Sequence, residues 1–130
     1  MKMKWFRVCE ILLGIIFLGA GINGYLVLFG FEPVMPTSPQ AMEFLGTGYL
    51  LSLEKTTEII CGLLLLIRRF IPLTLLVLGG LIVNILAFHI FVDHTLLPLA
   101  ILLVLLEILL LWGYRNNFKT LFQSKNDLSL

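Results

Sequence analysis

Nine residues, Ile59 to Ile67, lie between Glu58 and the basic pair Arg68-Arg69. As a helix they would cover about 13 Å, less than half of a bilayer core. Such a run cannot cross a membrane alone. A crossing helix here must reach back to about Tyr49 and carry Glu54, Lys55, Thr56, Thr57 and Glu58 with it. A locally thinned bilayer that leaves the cluster outside is the alternative, since charges draw water inward.

Composition is what makes a membrane the setting. The chain is 59% hydrophobic and 13% charged, with a mean hydropathy of +1.04. Soluble domains are about half apolar and a quarter charged. Lipid must solvate most of these 130 residues. The start "MKMKWFRVCEILLGIIFLGAGING" is basic and then apolar, like a signal peptide. Its apolar run continues to about Phe31, which predicts an uncleaved first span.

Four spans are predicted, at about 6–30, 49–67, 70–92 and 95–114. Lipid offers backbone groups no partners, so these are helices. Pro72 and Pro98 fall near helix starts, where a missing N–H costs little. Residues 31–48 hold three prolines and two glycines, which predicts a true loop with a short interfacial helix at Pro39 to Leu45. The joints at Arg68-Arg69 and Asp93-His94 are tight and imply antiparallel neighbours. The expected fold class is therefore all-α, an integral membrane four-helix antiparallel bundle over residues 1–114 with a tail at 115–130. Lys2, Lys4, Arg7, Arg68, Arg69, Arg115, Lys119 and Lys125 fall on one side of this layout, with Lys55 the only exception, and Glu32, Glu43 and Asp93 on the other. The positive-inside rule places both termini in the cytoplasm. Trp5, Trp112 and Tyr114 suit an inner aromatic belt, and Tyr25, Tyr49 and Phe91 an outer one. The tail is expected to lie along the inner surface and fray.

Depth then groups the polar residues. Glu58 comes out about 13 Å from the inner edge, and Glu54 and Asn23 about 20 Å, with Asn84 at about 21 Å. His89 and Asp93 sit higher, four apart on one face. Asn23, Glu54, Lys55, Glu58, Asn84, His89 and Asp93 thus form the candidate wall of a polar cavity opening outward. Interhelical glue is the plain alternative, because Asn, Thr and carboxyl groups fix register across helices. Intramembrane ionisable groups more often mark a ligand or proton site. Glu10, near the inner edge, and Glu107, about 10 Å above it, are expected to form structural ion pairs with Arg68, Arg69, Arg7 or Arg115. Cys61, one turn past Glu58, is expected to pack rather than react. Glycines 14, 19, 21, 24, 62, 79 and 80, with Ala20, permit close helix approach.

Several classes are excluded by what is missing. Cys9 and Cys61 have no paired spacing, so neither a disulfide framework nor a metal site is expected. No second histidine lies at depth for haem. No nucleophilic triad, phosphate loop or dinucleotide fingerprint occurs. No basic stripe supports nucleic-acid binding.

The stretches "RVCEILLGIIFLGAGING", "EIICGLLLLIRRFIPLTLL" and "GGLIVNILAFHIFVDH" resemble the DoxX-like family of small four-helix membrane proteins. The resemblance runs from about Arg7 to Tyr114. Its marks are Glu58 three residues before Cys61-Gly62, the basic turn Arg68-Arg69, and Asn84 with His89. It implies a multi-pass protein of the bacterial plasma membrane. Relatives of that kind include quinone-linked oxidoreductase subunits and partners in oxidative-stress defence, and more distant ones act as membrane chaperones. With no cofactor motif in the chain, a redox role would require a lipid quinone or a partner subunit. Two functions are carried forward: a quinone or other small lipidic ligand site, and a non-enzymatic scaffold, chaperone or assembly factor, either one compatible with a homo-oligomer. A transporter fits less well, because four short spans without broken-helix repeats make a poor alternating-access device.

Overall fold

The computed structural model describes residues 2–46 and 48–129. Met1, Thr47 and Leu130 lie outside the described residues, and so do the extreme limits of the expected domain and tail. The described chain is all-α. Its elements are α1 (Lys2–Leu28), α2 (Pro39–Leu45), α3 (Tyr49–Ile67), α4 (Ile71–Phe91), α5 (Leu97–Gly113) and a 3₁₀ segment at Arg115–Phe122. Two helices, α1 and α4, are long and apolar enough to cross a membrane. α5 has 17 residues, and α3 holds the charged cluster among its 19.

Local chemistry sets the boundaries. α1 ends on Gly30 at φ 85°. Gly30 N–H bonds Val27 O and Phe31 N–H returns to Leu26 O, a Schellman stop that needs a left-handed residue. Ser38 caps α2 by accepting from the Ala41 N–H, and Pro39 opens the helix where its missing N–H costs nothing. Pro72 and Pro98 do the same for α4 and α5. The joint between α3 and α4 is only Arg68 to Phe70. Arg68 and Phe70 both hold positive φ, 57° and 53°, so the chain reverses with no glycine to ease it.

The long helices pack in sequence around a common core: α1 on α3, α3 on α4, α4 on α5, and α5 back on α1. The α1–α3 pair is by far the most extensive and the α3–α4 pair the least. Lipid tails are as apolar as leucine, so burial alone does not drive this association; close packing must. α1 and α3 meet backbone to backbone. A Cβ built on Gly62 would lie 2.7 Å from Leu18 N and 2.8 Å from Gly14 O. The core itself is Leu13, Phe17, Cys61, Leu65, Leu75, Leu78, Leu103 and Leu110, with neighbours. Large apolar side chains such as Trp5, Ile15, Ile60, Leu73, Val83 and Leu105 remain exposed on the outer faces, as a lipid-facing surface requires.

Polar contacts close both ends. At the end where α1 begins and α5 finishes, Glu10 is fully buried. It receives Arg7 at 3.1 Å, Arg68 at 3.3 Å and the Tyr114 hydroxyl. Arg7 also donates to Leu65 O and Leu66 O at 2.9 and 2.6 Å, in the last turn of α3. The 3₁₀ segment turns 85° from α5. Its Phe118 is buried in the core, so the first half of the tail, expected to fray, is pinned under the helices. At the opposite end, residues 31–46 fold over the helices as a lid.

Candidate functional site

Beneath the lid lies a cavity of about 160 Å³, the space around which α1, α3, α4, α5 and residues 35–45 converge. Six of the seven residues expected to wall a cavity line it: Asn23, Glu54, Lys55, Glu58, Asn84 and His89. The rest of the lining is apolar, including Ile16, Phe17, Ile85, Phe88, Leu99 and Leu103, with Met35, Met42, Phe44 and Leu45 from the lid.

One wall is the charged face of α3. Lys55 Nζ sits 3.2 Å from Glu58 Oε2 and 3.6 Å from Glu54 Oε1. The lysine bridges two carboxylates spaced one helical turn apart, so the face carries one net negative charge when all three are ionised. Glu58 is 2% exposed. The Lys55 stem lies on Gly24, where even a methyl group would sit 2.4 Å from Cδ. Glycine on α1 is what allows a lysine to lie flat inside the helix pair.

The opposite wall is His89, also buried. Its Nδ1 lies 2.9 Å from Asp93 O. A carbonyl only accepts, so Nδ1 carries a proton, and in the neutral ring Nε2 is the acceptor left to the cavity. Phe88 stands edge-on to the imidazole at 5.5 Å.

Two expected wall residues have other work. Asn23 Oδ1 accepts from Val34 N and Met35 N at 2.7 and 3.1 Å, and its Nδ2 donates to Met35 O. It fastens the lid to α1. Asp93 does not line the cavity, and its carboxylate does not orient His89. One oxygen takes the Ser38 hydroxyl and the other takes Thr95 N–H and Oγ1, at 3.0 and 2.7 Å. Short hydroxyl donors from the adjoining turn and the lid reach it first. Asp93 is thus the second fastener, tying the α4–α5 turn to the α2 cap. The Ser38 hydroxyl, with those of Thr95 next, holds the Asp93 carboxyl down to about 2. A lowered value means the anchor is at full strength above the ordinary carboxylate range and is lost as pH falls toward 2. The Thr95 amide resonance should therefore titrate with a midpoint near 2 and stop titrating in Asp93→Asn. A midpoint near the unperturbed value, about 4, would refute the anchor.

The expected inner ion pairs divide. Glu10 and Arg68 pair directly. Arg69 is exposed and enters no ion pair among the described residues. Glu107 lies in the α4–α5 contact, close to Gly79, and neither of its oxygens has a hydrogen-bond partner. Depth alone had matched it to arginines. Its direction around α5 takes it away from them.

Comparison with protein-family models, curated proteins and solved structures returns no match. What the site can do therefore follows from its own geometry.

Sequence reasoning missed three contributors. Ser38 was readable as a helix cap, since it precedes Pro39, but its bond to Asp93 spans 55 residues. Tyr25, expected in the outer belt, also bonds Thr56 and Ser52 O on α3. The lid's Met35, Met42 and Phe44 read as loop residues, and only their folding back makes them a ceiling.

Proposed function

We propose that this protein is a four-span membrane protein with both termini on the cytoplasmic side of a bacterial plasma membrane, and that its cavity binds the ring-sized polar head of an amphiphile dissolved in the bilayer, with a quinone as the favoured class. The observation that carries the reading is Asn84. It lines the cavity yet is exposed on α4, with no hydrogen bond of its own among the described residues. α4 meets α3 only lightly, so the charged face of α3 and the Asn84 amide flank a gap toward the lipid. The lid, in contrast, is fastened to α1 and to the α4–α5 turn. Entry is sideways, from lipid.

Size supports the same class. Drug-sized molecules occupy roughly 300–1,000 Å³, whereas a cavity of about 150 Å³ takes one benzene. A space of about 160 Å³ holds one ring and leaves the tail between helices or in the membrane. Lys55 and Asn84 can donate to ring carbonyl oxygens, while His89 Nε2 and the glutamates can accept from ring hydroxyls. The quinone class also agrees with the DoxX-like resemblance of the sequence. The span arrangement is supported by the basic residues gathered at the end where α1 begins and α5 finishes.

Titration of the detergent-purified protein with a short-chain quinone should raise its melting temperature, and Glu58→Gln should reduce that shift. Identical responses of the two proteins, or none from either, would discard the ligand reading in favour of a scaffold or chaperone. Reporter fusions after Glu43 and after Asp127 should lie on opposite sides of the membrane. The same side for both would end the four-span layout.

A further inference from the structure

Glu107 is unused by the cavity, and it is the most anomalous polar group in the fold. It is 4% exposed, and both carboxyl oxygens are without partners. A buried carboxylate that serves only structure is normally paired or hydrogen-bonded. A lone buried carboxyl is stable only while it holds a proton, and a carboxyl in a membrane protein that holds a proton with nothing to bond is suited to passing it on.

Its position says where the proton would go. Leu103, one turn before Glu107 on α5, is part of the cavity lining. Tyr114, two turns after Glu107 on the same face, donates to the buried Glu10 at the opposite end of the molecule. Across the core on α3, buried Cys61 lies one turn from Glu58. Glu107 thus lies between the cavity carboxylates and the Glu10 cluster. We propose that Glu107 is a proton-transfer station joining the Glu58 cavity to the Glu10–Tyr114 cluster, which makes the protein a proton pathway through the membrane. Each step moves one proton and no electron: an O–H bond breaks at one carboxyl as another forms at the next, through water admitted between them. Among the described residues, the titratable groups between the two clusters on the helices around Glu107 are few: Glu58 and Cys61 on α3, Cys9 and Glu10 on α1, and Tyr114 on α5. α4 offers no titratable group nearer than His89 at the lid end. The arginines of that end, Arg7 and Arg68, are held by Glu10, and no cation pairs with Glu107 among the described residues. The proposal does not depend on the cavity's occupant.

Infrared difference spectra of the full chain in liposomes test it. The wild type should show a protonated carboxyl band that shifts in D₂O while the span amides remain protected, and that band should vanish in Glu107→Gln. A dye trapped inside should report proton uptake driven by a potassium diffusion potential, lost in Glu107→Gln and retained in part by Glu107→Asp. A carboxyl band that fails to exchange would make Glu107 a sealed structural acid and overturn the proposal. So would its absence in the wild type, or equal uptake by wild type and Glu107→Gln, or uptake by neither. Because quinone titration is read on melting temperature and this on proton movement, the two readings fail separately.

Discussion

Lys55→Met should destabilise the protein by about 3–5 kcal/mol, the cost of leaving buried charges without their counter-ion. Lys55 is the sole bridge to both Glu58 and Glu54 among the described residues, at 3.2 and 3.6 Å. Without it two carboxylates one turn apart face each other in a site of low dielectric. The triple variant Lys55→Met, Glu54→Gln, Glu58→Gln should recover most of the loss, since no charge then remains to be compensated. Methionine keeps the apolar stem that packs on Gly24, so packing is not the variable. Equilibrium unfolding in mixed micelles reads both variants. A loss under about 1 kcal/mol, the range of exposed pairs, would mean that water reaches the cluster freely and that its burial is illusory.

The second large effect belongs to Gly62. Valine there should cost about 3 kcal/mol, the upper part of the overpacking range, because its Cβ meets main chain and not a movable side chain. The atoms in the way are Leu18 N and Gly14 O. Relief requires α1 and α3 to part, which also pulls Lys55 off Gly24 and opens the cavity wall. Gly80→Ala is the control. Nothing lies within 4 Å of a Cβ at that position, so alanine should be neutral or stabilising by up to about 1 kcal/mol. Equal losses for the two substitutions would refute close approach of the main chain as the cause of the Gly62 effect.

Much of the site was legible because depth in a membrane is a linear function of sequence. The shortage of apolar residues after Glu58 argues that its helix reaches back through Glu54 to Tyr49, as it does, and counting along the neighbouring helices brings Asn23 and Asn84 to the same cavity. What counting cannot give is direction around the helix. Glu107 and the arginines share a depth range, yet Glu107 turns toward Gly79 on α4 while Arg7 and Arg68 close on Glu10. Nor does it give the path of an irregular segment. Asn23 has the expected depth, but its partners are the backbone groups of Val34 and Met35, whose place depends on how prolines 33 and 36 steer the loop. Asp93 was paired with His89 by spacing along α4. Its true partners, Ser38 and Thr95, lie on the lid and the turn. The fold class is dictated by hydropathy, the boundaries by Ser-Pro and Gly signals, and the fasteners by tertiary geometry that one-dimensional patterns do not encode.

The unequal contacts among the helices bear on how the molecule is made. α1 and α3 share a seam of glycine and backbone contacts, while α3 touches α4 lightly. The first two long helices can lock together as soon as the ribosome has released Ile67, before α4 and α5 exist. At that moment Lys55 can already bridge Glu54 and Glu58, which cuts the cluster's charge to one net negative. The later hairpin supplies His89, Asn84 and Leu103, and the turn that receives Ser38. The binding chamber is thus a product of assembly order: its charged half is made first and kept safe, and its walls and latch arrive with the second half of the chain.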